Sequence, residues 1–333
     1  MSEEILESYF GINPVQTIKD GNIIRYLSED SLYTTVQVTH WEQEGLIELY
    51  EMSEHMAKNG DQKVSTFVAG NNQKFLITHD DQDYVLLHNH YWPLSRNKNS
   101  GRRLARFHLR GAYLQSTISK LNHYGQWKSY WIQRLEQMEK VWRGLVREPG
   151  SEKFEKMFTD SFPYFLGLCE NAIQYFTDTV LDEEPGPMDH GTITHHRYTE
   201  ATWSGEWQIR SPFDWVYDHH ARDIAEWIRN CYFNNPRTFK PELQKFIQEY
   251  QSVFPLSRFS WRLIYARLLF PLHYFLCVED YFLTHSQWSQ LQLEERLSRL
   301  IRDTRDYELF LGHFFHLASG NLGEIPEVEW LSY

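Results

Sequence analysis

The apolar positions change period along the chain. Between about residues 15 and 92 they fall in short β-branched runs, interrupted once by helical spacing. Asn22–Leu27 and Leu32–Val38 read as a hairpin, with SerGluAspSer (28–31) supplying its turn. Glu42–Lys58 switches to helical period: Leu46, Leu49, Tyr50 and Met56 fall on one side, and Asn59-Gly60 ends the helix as a C-cap signal. Three β segments follow, Val64–Val68, Phe75–Thr78 and Tyr84–His88, separated by the turn-forming GlyAsnAsn (70–72) and AspAspGlnAsp (80–83). The order β-β-α-β-β-β predicts a five-stranded antiparallel sheet and a hinge near His88–Leu94.

Beyond residue 93 the pattern is helical almost to the end. Ser100–His123, Trp127–Arg147 and Lys153–Leu181 carry helical spacing, helices resume at about Arg222, and Ser260–Thr284 and Leu291–His316 close the chain. Residues 185–220 break the period with Pro, Gly, His and Trp. A small β-rich N-terminal lobe over 1–92 and a large helical lobe over 93–333, with one irregular loop region inside it, make a bilobal α+β plan. That plan is kinase-like, although periodicity alone fits other α+β folds.

Composition narrows the function classes. With 41% hydrophobic and 23% charged residues among 333, the chain is that of a folded protein. Lys+Arg number 33 against 45 Asp+Glu, a net charge of -12, which argues against a fold-wide basic face for nucleic acid or anionic membrane. Cys169, Cys231 and Cys277 are too scattered for a disulfide framework or a CxxC metal site. The start, MSEEILESYFGI, lacks the pattern of a signal peptide. The most apolar stretch, Leu268–Val278, is broken by Pro271 and His273 and is about half of the ~20 residues that a membrane span requires. A soluble protein made in a cytoplasm is expected. Aromatics reach 16%, which means either a large core or an adhesive surface.

Residues 189–229, DHGTITHHRYTEATWSGEWQIRSPFDWVYDHHARDIAEWIR, carry the chemistry. They resemble the catalytic core of the aminoglycoside-phosphotransferase-like kinases, whose pattern is HGDxHxxN, a strand ending in a metal-binding Asp, and DLA opening a helix. His190-Gly191 matches the start and Asp223-Ile224-Ala225 the DLA element, while Gly101…Leu104-Ala105…His108 looks like that fold's helix after the hinge. Within the superfamily the chain resembles the CotS-like spore-coat-associated proteins of YutH type. The residues behind this are VSTF (64–67) after a helix ending in Gly60-Asp61, DWVYDHHARDIAEWIR (214–229) and WRLIYARLLFPLHYF (261–275). The resemblance implies a bilobal protein-kinase-like fold and a place in the bacterial endospore coat after synthesis in the mother cell. It also implies other coat proteins as partners.

The same resemblance implies lost catalysis. It puts the acceptor-orienting Asp at Thr192, the metal-binding Asn at Arg197 and the metal Asp at Ser211, and no Lys occurs from Asp20 to Ala57 to serve the strand position. On this reading no residue is catalytic and no cofactor is expected, while His190, Gly191 and Asp223 shape and brace the former catalytic loop around His190. The alternative is an active kinase using Mg-ATP on a small molecule or coat protein. There Asp214 slips into the metal position, helped by Asp218, and Lys63 or Arg25 replaces the strand Lys. A third reading gathers His190, His195, His196, His219 and His220 with Asp189, Asp214 and Asp218 into a zinc- or iron-dependent hydrolase, with Asp214, Asp218, His195 and His196 as the candidate metal ligands. Against it, adjacent His pairs usually point apart, and no HxH or HExxH spacing occurs among them. Trp203, Trp207, Phe213, Trp215, Tyr217 and Trp227 read as core packing, or alternatively as a filled nucleotide cleft or docking surface.

Overall fold

The computed structural model describes residues 3–21, 23–71, 73–90, 100–148, 150, 152–199, 202–203, 207–318, 325–326 and 328–331. They form two compact units. One comprises Met1–His123, Gly191–Asp223 and Gln248–Phe254, and the other Tyr124–His190, Ile224–Ile247 and Pro255–Tyr333. The α+β class is observed, with an antiparallel sheet in the first unit and helices throughout the second.

Helix α1 (Glu3–Phe10) buries Ile5 and Leu6. Strands β1 (Gln16–Asp20), β2 (Ile23–Ser28) and β3 (Ser31–Gln37) follow as a meander, then helix α2 (Gln43–Lys58) and strands β4 (Thr66–Val68), β5 (Ile77–His79) and β6 (Gln82–His90). The sheet runs β1-β2-β3-β6-β4, with β5 also pairing β6, so it has six strands among the described residues where five were expected. The extra strand is β1. Its side chains are exposed or half-buried, so no alternation marks it, and the register Gln16↔Leu27 to Asp20↔Ile23 holds it by backbone pairing. By contrast β6 pairs with three strands and carries Val85, Leu86 and Leu87 buried in succession.

Helix α2 buries Gly45, Leu49, Met52 and Met56 in one stripe, while Leu46 and Tyr50 lie half-buried at its edge. It stops where Gly60 takes φ +82 and the Asp61 amide donates to the Met56 carbonyl at 3.0 Å. Residues 91–94 of the expected hinge lie outside the described residues. Helix α3 (Ser100–Gly111) ends twelve residues short of the expected His123. The cause is steric: a Cβ on Gly111 would lie 2.6 Å from Thr192 Oγ1 and 2.8 Å from the Ile193 nitrogen, so the helix runs into a strand and the chain turns away.

Helices α4 (Trp127–Arg147) and α5 (Lys153–Asp182) match the expected bounds closely. Along α5 the buried Phe154, Phe158, Phe162, Phe165, Cys169, Ala172 and Phe176 recur every three or four residues, and Glu152 with Glu155 forms a capping box. The irregular region contains a two-stranded antiparallel ladder, β7 (Thr192–His195) with β8 (Trp215–Asp218), which belongs to the first unit. Then come α6 (Ala221–Asn234), α7 (Phe239–Gln251), α8 (Arg258–Leu269), α9 (Leu272–Leu283), α10 (Gln287–Arg302), α11 (Thr304–Gly312) and α12 (Phe314–Ala318). The expected helix over 260–284 is two helices because Pro271 has no amide hydrogen and drives Phe270 to ψ 117. The stretch 291–316 likewise divides, at Asp303 and His313. Among the described residues no helix is long and apolar enough to cross a membrane.

Candidate functional site

The centre of the first unit is Asp223, fully buried in the first turn of α6. Its Oδ2 accepts from His195 Nδ1 at 2.6 Å and lies 3.1 Å from His108 Nε2, while the His195 backbone amide donates to Oδ1 at 3.0 Å. His108, on α3, reaches the Tyr250 hydroxyl with its other nitrogen at 2.7 Å. Burial alone would raise the pKa of Asp223. The His195 charge and the hydrogen bonds from both histidines outweigh it and hold the carboxyl well below the usual range. Burial pushes His108 down further than Asp223 pushes it up. The brace therefore grips His195. His190, expected there, is exposed, and this corrects the expected anchor.

The other expected positions lie as follows. Gly191 is required by packing, since a Cβ there would sit 2.3 Å from the Tyr217 ring. Thr192 is buried and donates to the His108 carbonyl at 2.8 Å. Arg197 is exposed, and Ser211 is half-buried ahead of a single 3-10 turn, Pro212–Asp214. Asp214 is exposed and its carbonyl accepts from the His196 amide at 2.7 Å, whereas Asp218 is buried at the far end of β8 and pairs with Arg222 at 2.8 Å. Asp214 closes the 3-10 turn and Asp218 ends β8, so four residue steps separate the two positions.

Among the candidate metal-ligand histidines, His219 and His220 come together, whereas His195 is committed elsewhere. His195 Nδ1 is spent on Asp223, its buried Nε2 has no hydrogen bond, and its ring centroid lies 4.9, 5.0 and 5.2 Å from those of Phe107, Tyr198 and Trp203. His219 and His220 do not point apart as expected: their rings lie 4.1 Å from one another, and His219 Nδ1 accepts from the Ala221 amide that opens α6. In the second unit, Asp189 accepts from the hydroxyls of Ser257 and Ser260 at 2.7 and 2.5 Å. Of the aromatic set, Trp203, Trp215 and Trp227 are core, and Phe213 and Tyr217 are partly buried.

Three arrangements were not anticipated from sequence. Arg222 donates to the His195 and His196 carbonyls at 2.8 and 3.1 Å as well as to Asp218, so one guanidinium fixes the loop's entry. Arg210, stacked 4.2 Å over Trp203, pairs with Asp61, and the ladder between 63–65 and 210 ties the loop to the segment before β4. Glu48 of α2 is buried and accepts from the amides of Ser119, Lys120 and Leu121 at 2.8 to 3.0 Å. Burial would raise its pKa, but those amides bring it below the ordinary value. The proposed stand-ins for a strand Lys are occupied too. Arg25 bonds Asp20 at 2.7 Å and Thr34 at 2.8 Å, and Lys63 is partly buried beside Arg210, with its pKa lowered by burial first. Arg222 and Glu48 left one sequence signal each, a charged side chain on a helix face that is otherwise buried.

Sheet, helices and loop together define a protein of the aminoglycoside-phosphotransferase, kinase-like fold. An aminoglycoside phosphotransferase from Alicyclobacillus acidocaldarius superposes with a TM-score of 0.71 over 95% of this chain and 96% of that one, at 15% identity. Spectinomycin phosphotransferase gives 0.57 over 89% and 92%, at 13% identity, and a microcompartment-associated aminopropanol kinase 0.56 over 96% and 98%, at 11%. The family model described as spore coat putative kinase YutH matches residues 3–314, and the chain belongs to that family. The endospore coat-associated protein YutH of Bacillus subtilis (strain 168) is 39% identical over 309 residues, 92% of this chain and 91% of the relative.

Proposed function

We propose that this chain is a catalytically silent kinase-like protein of the endospore coat, acting there through contacts with other coat proteins. The observation that carries this is the grip of Asp223 on His195. If the braced histidine is the one that opens the HGDxHxxN pattern, that pattern moves five residues along the chain. Arg197 then stands where the acceptor hydroxyl needs a carboxylate, and Thr202 where the metal needs an Asn. A guanidinium has no lone pair to take a proton, and a neutral threonine hydroxyl is a poor Mg²⁺ ligand. Either register therefore lacks the acceptor carboxylate and the metal-binding Asn. Elsewhere Asp218 is neutralised by Arg222, and Glu48 is bound to backbone amides. In a working protein kinase the glutamate of the corresponding helix pairs with a strand lysine. The coat location rests on the relative's name.

Thermal melts with ATP, with and without Mg²⁺, test the reading. A ligand selective for the native state at a hundred times its Kd adds about 2.7 kcal/mol, an obvious rise in Tm. The expected result is no Mg-dependent rise and no phosphate release above background. A Mg-dependent rise abolished by Asp214→Asn or Asp218→Asn would overturn this reading in favour of the kinase with atypical metal geometry. A rise with Zn²⁺ alone, lost on changing His195 and His196, would point to the metal site of the hydrolase reading.

A further inference from the structure

One face of β6 passes from core to solvent along its length. Leu86 is buried there with Leu6 of α1 and Tyr26 of β2, and His88 and His90 follow at two-residue steps on the same face. His88 is half-buried and His90 is exposed. The pair is a His-x-His spacing that lies far from the loop region of residues 185–220. Its ring centres are 5.0 Å apart. On the neighbouring β3, the Tyr33 ring lies 5.3 Å from that of His88, and Ser31 Oγ is 3.1 Å from His88 Nε2. Burial first, and then the charge of His90, lower the pKa of His88, so at neutral pH its ring is uncharged and keeps a lone pair.

We propose that His88 and His90 chelate one divalent transition-metal ion on the face of the sheet. The spacing suits it. With a metal–nitrogen bond of about 2.1 Å and about 1.1 Å more from nitrogen to ring centre, two imidazoles sharing one ion have centres about 4.5–5.2 Å apart, for angles from square to tetrahedral. Ser31 supplies the usual outer partner: a ligating histidine donates its other ring N–H to an oxygen, and Nε2–H given to Ser31 leaves Nδ1 for the ion. Among the described residues no third histidine, cysteine or carboxylate joins the pair, so water completes the coordination. Imidazole selects Cu²⁺, Ni²⁺ or Zn²⁺, with Cu²⁺ tightest, and rejects Mg²⁺ and Ca²⁺, which require oxygen ligands. The two rings meet only while β6 is extended, so the ion stabilises the native sheet. The inference stands whether or not nucleotide binds, and it uses none of the loop histidines.

Calorimetric titration of the metal-free chain, purified without a histidine tag, with Ni²⁺ and with Cu²⁺ tests it. One ion per chain should bind at this site, Cu²⁺ more tightly than Ni²⁺, and Mg²⁺ should give no heat. His88→Gln and His90→Ala should each weaken binding at least about tenfold. His90→Ala should leave the melting curve in EDTA unchanged, since that side chain is exposed. Electron paramagnetic resonance with one equivalent of Cu²⁺ supplies a second readout: two imidazole nitrogens in the unaltered chain and one in His90→Ala. Binding that survives both substitutions would overturn the proposal. So would binding lost only on changing His195 and His196, a single nitrogen in the unaltered chain, or no binding of either ion at millimolar concentration.

Discussion

At Gly191 one hydrogen atom decides the packing. A methyl group there would penetrate the Tyr217 ring, at 2.3 Å. Gly191→Ala should therefore cost about 1–3 kcal/mol in urea unfolding, the usual penalty of overpacking, and a smaller side chain at Tyr217 should recover most of it. Asp223 answers to electrostatics. Asp223→Ala strands the His195 amide and two imidazoles in a buried site, and a loss of about 3–5 kcal/mol is expected. Acid should weaken the fold in two stages. His108 and His220 are buried with pKa values below their ordinary ones, so the unfolded chain takes up protons that the native one refuses. Stability is then lost as pH falls below about 6.5, the unperturbed value. Asp223, held low, adds a further loss below about pH 4. Melting temperatures between pH 7.5 and 3.5 check both stages, and His220→Gln should flatten the first.

Among the elements, α2 depends on Glu48 more than on its apolar stripe alone. Three backbone amides of the segment after α3 converge on this one carboxylate. Glu48→Ala should cost at least about 2 kcal/mol and raise amide exchange at residues 119–121 selectively, whereas Glu48→Gln should retain part of the protection. Element ends show where sequence reading succeeds. The bounds of α4 and the helical period of α5 were legible because their apolar residues repeat locally. The end of α3 was not, because Gly111 meets a strand some eighty residues away in sequence. The strand β1 was invisible for the opposite reason: an edge strand buries too little to leave an alternating pattern.

For the whole molecule the expectation is assembly without turnover. In spores, a stable Asp214→Ala chain should be deposited in the coat like the unaltered protein. Trp288→Ser, at the exposed α9–α10 corner, should be deposited less efficiently although it folds. Quantitative immunoblots of coat extracts distinguish these outcomes, and the reverse pattern would favour an enzyme.

The sequence by itself determined the class of the fold, most helix positions, the kinase-like order of elements and the absence of the strand lysine. Each of these is written in local periodicity or in residue identity. Only the tertiary structure decided which histidine Asp223 grips, 28 residues away, and that Arg210 finds Asp61 across 149 residues. It alone placed Asp214 in the 3-10 turn before β8 and Asp218 at the end of that strand. A motif states which groups are present, but the contacts that assign their roles arise between residues distant along the chain. Those contacts are fixed by steric fit and by the need to partner every buried charge, and neither leaves a mark in the local pattern.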